Sequence, residues 1–246
     1  MGARVLVDRD GPVRIVTLNR PDKLNAADRA MQEGFAAIWP VLAAEDDVAA
    51  VVVTGAGRAF SAGGDYSFLQ AVTGRAVEGE LAEALHRATV GWMEGLLTVP
   101  VPVVAAVNGP AIGFGAAVVA ACDLVVMAED AYLSEPHARY GLPPSPAIEL
   151  LWPRLSSMQV SKELTMTGRR LHGDEAARVG LANRVVPPGT AKDAAVAWAH
   201  ELATLDRLGV ALAKETHNRP VLAAMRARAG EWGRANGAGH AADARR

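Results

Sequence analysis

The stretch PVVAAVNGPAIGFGAAVVAACDLVV (102–126) decides the predicted fold. Its first part lies within the apolar run VPVPVVAAVNG (99–109), which is typical of a strand buried on both faces of a sheet. A glycine-rich turn, NGPAIGFG, follows, and after it come a helix of small residues and a second apolar run, DLVV. Buried strands that alternate with helices predict an α/β fold with parallel strand pairing.

The same order of elements occurs upstream. VAAVVVTG (48–55) is an apolar strand that ends at a glycine, and a polar glycine-rich loop, GAGRAFSAGGD, follows it. Apolar residues at helical spacing predict a helix over 27–44, and a longer helical stretch is predicted from the loop to about residue 97. At the start of the chain, two β-rich runs on either side of Asp10–Gly11 indicate a hairpin.

The second half of the chain has a different composition. Between 131 and 188 the pattern mixes a short strand with short helices, and from Ala191 onward it is helical only. We therefore predict a β-rich core over 1–188 and a helical C-terminal region over 189–246. Three glycines in GRANGAGHAADARR, after Trp232, disfavour a helix, so the tail is predicted to fray from about residue 233.

Composition excludes several classes of protein. The 246 residues carry a net charge of -2, and the only basic cluster is Arg245–Arg246, so we expect no nucleic-acid partner. A single cysteine, Cys122, rules out an internal disulfide and fits a reducing compartment. Charged residues interrupt the N-terminus, and the apolar runs are too short for a bilayer. We expect a cytoplasmic protein that is not associated with a membrane.

Both glycine-rich turns lie after a buried strand and before a helix. In open α/β sheets, ligands bind at that edge, and glycines there let a ligand approach backbone N–H groups closely. Two such turns side by side would present two donors to one oxygen, which is the geometry of an oxyanion hole. The alternative interpretation is two tight strand–helix connections without a ligand.

Other kinds of site match less well. GFGAAV (113–118) begins like a dinucleotide fingerprint, but Val118 occupies the place of its third small residue. The sequence contains no G-x-x-x-x-G-K-[ST] loop, no G-x-S-x-G elbow and no H-E-x-x-H pattern. We therefore expect no P-loop nucleotide site, no serine-hydrolase triad and no bound metal.

Four stretches, in this order, resemble the crotonase (enoyl-CoA hydratase/isomerase) superfamily. They are VTLNRPDKLNA (16–26), VVVTGAGRAFSAGGD (51–65), PVVAAVNGPAIGFGAAVVAACDLVV (102–126) and LTMTGRRLHGDEAARVGLANRVVP (164–187). The resemblance covers roughly residues 5–220 and implies a spiral of ββα units whose C-terminal helices form a homotrimer or a dimer of trimers. It implies an acyl-CoA thioester as the partner, with CoA as part of the substrate and no separate cofactor.

The resemblance also implies site residues. The backbone amides of Ala62 and Phe114 match the oxyanion-hole positions, and Phe114 replaces the glycine that is usual there, which should narrow the acyl pocket. Lys23 and Leu24 match the region near the adenine end of CoA. The full set of residues expected to contact the substrate or its CoA is Lys23, Leu24, Ala26, Ser61, Gly64, Asp65, Tyr66, Gly113, Ala117 and Tyr140.

The hydratases of this family carry two glutamates, and aligning the motifs places Ala117 and His137 at those positions. Hydration across a double bond needs a base for the water and an acid for the carbon, and alanine is neither. The resemblance therefore disfavours hydratase activity and makes His137 the acid/base candidate. Glu135 would face the same side as His137 in an extended segment and could orient it.

Three hypotheses follow from these residues. The first is an enzyme that isomerises, decarboxylates or cleaves an acyl-CoA ester, with His137 as the acid/base group. The second is an acyl-CoA binding protein without catalysis, which loss of both glutamates would permit. The third keeps the oxyanion hole but acts on a free β-diketone without CoA.

Overall fold

A computed structural model of the chain describes residues 3–65 and 90–238, with side chains described as far as residue 228. The strands are β1 (Val5–Asp10), β2 (Val13–Leu18), β3 (Ala50–Gly55), β4 (Val103–Val107), β5 (Ala111–Ile112), β6 (Leu124–Ala128), β7 (Tyr132–Ser134), β8 (Leu171–His172) and β9 (Arg184–Val186). The helices are α1 (Arg29–Ala44), α2 (described over 90–98), α3 (Phe114–Ala121), α4 (Pro146–Leu155), α5 (Met158–Thr167), α6 (Gly173–Arg178), α7 (Ala191–Ala203) and α8 (Arg207–Ala238). Two 3-10 turns cover Pro21–Lys23 and His137–Tyr140.

The main sheet has the strand order β1-β2-β3-β4-β6-β9. Strand β1 pairs antiparallel with β2, and Asp10 faces Val13 across a two-residue loop, as the hairpin prediction requires. The remaining strands of this sheet are parallel. A second sheet has the order β5-β7-β8. The predicted α/β class and the parallel pairing are confirmed.

Both faces of the main sheet are buried, which explains the continuous apolar runs. Along β3, Val51 and Val53 face a large core with α1, α2 and α3, whereas Ala50 and Val52 face a smaller cluster on the other side. Helix α7 covers that second face with small residues such as Ala195. The region after 188 therefore shares the core of the strands, although it contributes only helices within the described residues.

Several predicted boundaries were wrong. The strand predicted over 99–109 is shorter because Pro100 and Pro102 lack the N–H groups that a sheet needs. Residues 131–188 contain three strands rather than one. Helix α8 continues to Ala238 and so includes the first residues of the tail that was predicted to fray, since a long helix tolerates isolated glycines at about 1 kcal/mol each. Residues 239–246 and 66–89 lie outside the described residues.

No helix within 3–65 and 90–238 combines the length and the apolar character needed to cross a membrane.

Candidate functional site

The buried side chain of Asn25 holds the first glycine turn, which covers residues 56–65. Its amide donates to the carbonyl oxygens of Ala56 and Ala59, both at 2.8 Å, and its Oδ1 accepts from the Arg20 N–H. The Asn25 backbone is left-handed (φ 56), a conformation that asparagine tolerates better than most residues. Its own carbonyl accepts from the Ser61 hydroxyl at 2.8 Å. Asn25 therefore fixes the turn that follows β3.

We expect Asn25→Ala to lower the free energy of unfolding by about 3 kcal/mol or more. The substitution removes the donor to the half-buried Ala56 carbonyl and leaves the buried Ala59 carbonyl with a long 3.5 Å bond from Asn108, and alanine tolerates the positive φ less well than asparagine does. Urea denaturation monitored by tryptophan fluorescence would measure the change. Asn25→Gly is the matched control, because glycine removes the same hydrogen bonds without the backbone strain. Equal midpoints for wild type and both variants would contradict this structural role.

The free amide in the first turn is not the one that the sequence indicated. The Ala62 N–H donates to the Leu24 carbonyl oxygen at 2.8 Å, so it is not available to a substrate, and the assignment of Ala62 is corrected. Gly64 lies opposite Ala27 in an isolated parallel β-bridge. The neighbours of Gly64 make the two hydrogen bonds of this bridge: the Gly63 carbonyl accepts from the Ala27 N–H, and the Asp65 N–H donates to the Ala27 carbonyl. The Gly64 N–H itself has no acceptor within the described part of the chain.

The second glycine turn ends at Gly113, whose N–H donates to the Ser134 carbonyl oxygen at 2.9 Å and whose φ is 49. Phe114 opens α3, and the first N–H groups of a helix have no partner within that helix. No other described residue accepts from the Phe114 N–H. The Phe114 ring packs edge-on against Phe35 and Trp92, with centroids 6.1 Å and 5.6 Å away.

The two turns touch each other at the mouth of one pocket of about 400 Å³. A β-carbon added to Gly63 would lie 3.1 Å from the Ile112 carbonyl oxygen, and residues with a side chain rarely adopt its φ of 100, so glycine favours this close approach. The pocket is lined by Ala62, Gly63, Gly64, Ile112, Gly113, Tyr132, Ser134, Pro136, His137, Arg139, Tyr140, Gly168, Arg169 and Arg170. Gly64, Gly113, His137 and Tyr140 are the predicted site residues, besides Ala62, that line it.

The His137 ring has one buried edge and one edge that faces the turns. Its Nδ1 lies 2.6 Å from Oε1 of Glu135 and 3.1 Å from the Pro143 carbonyl oxygen. Since both partners are acceptors, Nδ1 carries the hydrogen, and the lone pair of the neutral ring is on Nε2. Nε2 lies 3.7 Å from the point that a β-carbon on Gly113 would occupy.

Opposing effects act on the pKa of His137. Burial lowers the pKa of His137, but the hydrogen bond to Glu135, the negative charge of that carboxylate and the hydrogen bond to the Pro143 carbonyl outweigh burial and raise the pKa above its ordinary value of 6.5. Because Glu135 is 0% exposed and the His137 side chain 23% exposed, little water screens the pair.

Glu135 contacts His137 as predicted, but an extended segment is not the cause. The segment is not extended: Pro136 has φ -89 and ψ 10, and His137 begins a 3-10 turn. Oε1 of Glu135 also accepts from the Ser145 N–H at 3.0 Å. Oε2 is buried and has no hydrogen-bond partner among the described residues. The carboxylate is thus anchored by the backbone and turned towards the imidazole.

Other predicted residues lie away from this pocket. The Ser61 hydroxyl is buried and bonded to the Asn25 carbonyl, and Ala117 is 1% exposed in the core, so neither presents its side chain to a ligand here. Asp65 forms an ion pair with Arg20 at 3.0 Å. Lys23, Leu24 and Ala26 are not among the residues that line the pocket, and Tyr66 lies outside the described residues.

Sequence reasoning missed three arginines that line the pocket, Arg139, Arg169 and Arg170. The paired arginines of TGRRLHG lay within one of the stretches that carried the resemblance. Nothing in their spacing indicated that the loop between α5 and β8 would lie beside the turn at His137.

Comparisons with known proteins agree on one family. The sequence profile of the family described as enoyl-CoA hydratase/isomerase matches residues 8–235. A short-chain-enoyl-CoA hydratase from Clostridium acetobutylicum is 31% identical over 216 residues, which are 87% of this chain and 81% of that protein.

Two solved structures show the same fold. An enoyl-CoA hydratase/isomerase from Mycobacterium paratuberculosis superimposes with a TM-score of 0.87 at 36% identity, covering 96% of this chain and 93% of that one. A monofunctional enoyl-CoA isomerase from M. smegmatis gives a TM-score of 0.75 at 30% identity, covering 89% and 94%.

Proposed function

Because the chain belongs to the enoyl-CoA hydratase/isomerase family, we propose that it binds an acyl-CoA thioester and stabilises the enolate formed at the α-carbon. One observation carries this proposal. Nε2 of His137 lies beside two glycine turns in which the amides of Gly64 and Phe114 have no acceptor among the described residues. A base and two N–H donors on one pocket are the groups that enolate formation requires.

In the proposed mechanism, the thioester oxygen accepts hydrogen bonds from the Gly64 and Phe114 amides. Nε2 of His137 removes the α-proton, the electron pair of the C–H bond forms the C=C bond of the enolate, and the π pair of the C=O bond moves to the carbonyl oxygen. Glu135 stabilises the resulting imidazolium through the hydrogen bond to Nδ1. Return of the proton to a carbon completes the reaction and restores the neutral ring.

Among the reactions of an enolate, double-bond isomerisation best suits one acid/base group. In a 3-enoyl ester the imidazole would take a proton from C2 and return it to C4, which moves the double bond without water. Hydration is disfavoured because Ala117 and His137 occupy the positions aligned with the two hydratase glutamates, and the Ala117 methyl is neither acid nor base. The solved neighbour from M. smegmatis, which is an isomerase, supports this choice.

Incubation of the protein in D₂O with 3-enoyl-, 2-enoyl-, malonyl- and β-ketoacyl-CoA esters, and separately with a free β-diketone, tests the proposal. We expect deuterium at the α-carbon of at least one ester by mass spectrometry, and chromatography would show the shifted double bond of the 3-enoyl ester. Binding of esters without exchange or conversion would instead support an acyl-CoA binding protein. Turnover restricted to a free β-diketone would support the CoA-independent hydrolase.

We expect Glu135→Gln to move the pH dependence of kcat/KM to lower pH. Glu135 raises the pKa of His137, and without its charge the lowering effect of burial dominates. If neutral His137 is the base, the wild-type rate rises with pH through a pKa above 6.5, and the variant rate rises at lower pH. Initial rates across the neutral range would measure both profiles.

The matched control for this profile is Glu215→Gln, which removes an exposed carboxylate that pairs with Arg219 on α8, away from the residues that line the pocket. Its profile should follow that of the wild type. A Glu135→Gln profile that also coincides with the wild type would show that Glu135 does not tune the titrating group.

A further inference from the structure

Positive charge lines the pocket, and none of the described residues that line it carries a carboxylate. Within the part of the chain that the structure describes, three arginines line the pocket, and they come from the 3-10 turn that begins at His137 and from the loop 168–170. In a concave site, charges of one sign raise the local concentration of an oppositely charged ligand. The proposed mechanism acts only at the thioester carbonyl and the α-carbon, which are uncharged, so it gives these arginines no role.

The three arginines are not equivalent. Arg169 is neutralised, because its guanidinium bonds Glu163 and Glu175, each at 2.7 Å. Arg139 donates through Nε and Nη2 to the Thr167 carbonyl oxygen, which carries no net charge. Arg170 lies over the Tyr132 ring, 4.6 Å from its centroid, and forms no ion pair within the described residues.

Many arginines elsewhere in the described chain do have acidic partners. Arg14 bonds Glu45 and Asp47, and Arg226 bonds Glu94. Arg139 and Arg170 therefore contribute two positive charges that no described carboxylate balances, on the same pocket as His137. Both are also held in place, one by a carbonyl and the other by an aromatic face, so less side-chain entropy is lost when they bind a ligand.

We propose that Arg139 and Arg170 bind an anionic group of the substrate. A planar guanidinium matches the two oxygens of a carboxylate or a phosphate. The group is either a carboxylate at the far end of the acyl chain or a phosphate of CoA, since both present the same chemistry. This inference rests on the proposed function and extends it to the substrate class.

Four thioesters distinguish the two sources of the anion. Butanoyl and pentanedioyl groups differ by a distal carboxylate, and each is prepared on CoA and on pantetheine, which lacks the phosphates. Dissociation constants are measured by calorimetry for wild type, Arg139→Gln and Arg170→Gln. Arg219→Gln is the matched control, because it removes an exposed arginine of α8 that pairs with Glu215 and does not line the pocket.

If the anion is a carboxylate, wild type binds the pentanedioyl esters about 10-fold more tightly than the butanoyl esters on both carriers, and each pocket variant removes that preference. If it is a phosphate, each pocket variant weakens both CoA esters about 10-fold and leaves the pantetheine esters unchanged. If Arg139→Gln and Arg170→Gln both bind all four esters as tightly as wild type does, the inference about the arginines is overturned and the proposed function is not affected. Failure of wild type to bind any ester would overturn the proposed function with it.

Discussion

Replacing His137 by alanine is expected to lower the rate of α-proton exchange by about 10²–10⁴-fold, the range that a positioned general base contributes. The substitution removes the imidazole that bonds Glu135 and with it the Nε2 atom that faces the pocket. The backbone hydrogen bonds of the two glycine turns do not involve this side chain. Affinity for a CoA ester should therefore change little. Deuterium incorporation and calorimetry on the same preparation would measure the two quantities separately.

The control for this experiment is His172→Ala. His172 is exposed and packs near the Tyr132 ring at a centroid distance of 5.6 Å, but it is not a lining residue of the pocket. Its exchange rate should match the wild type. An unchanged exchange rate in His137→Ala would remove His137 from the mechanism. If the rate falls while the urea midpoint of the variant stays that of the wild type, the loss of activity is not caused by unfolding.

The sequence was informative where one physical requirement determines the pattern. Strands β3 and β4 are buried on both faces, so they must be apolar throughout, and that pattern is readable without coordinates. Short elements were less predictable. Strand β8 has two residues and depends on its pairing with β7, which brings Leu171 opposite Leu133, a contact between distant parts of the chain.

The site was predicted in part. The two glycine turns could be recognised because both follow buried strands, and the pairing of Glu135 with His137 was anticipated, although a turn rather than an extended segment produces it. The direction of each amide was not predictable. The Ala62 N–H is occupied because it donates to the Leu24 carbonyl, whereas the Gly64 N–H takes no part in the bridge to Ala27. Both facts depend on how residues 24–27 pack against the turn, which the sequence does not show.

Gly64→Pro is expected to lower the exchange rate by about 10²–10³-fold, the usual effect of removing one oxyanion-hole donor. The bridge to Ala27 uses the Gly63 carbonyl and the Asp65 N–H, so the backbone pairing does not need the N–H that proline lacks. Gly64 is also absent from the residues with positive φ. The substitution therefore removes the proposed donor without removing a hydrogen bond of the backbone bridge.

Gly64→Ala is the matched control, because alanine adds a β-carbon but keeps the N–H. If the amide holds the enolate oxygen, proline should reduce kcat far more than alanine does, with urea midpoints that stay close to the wild type. Equal losses in both variants would point to steric obstruction of the pocket by the added carbon. Wild-type exchange in Gly64→Pro would show that the thioester oxygen binds elsewhere, since proline has no hydrogen to donate.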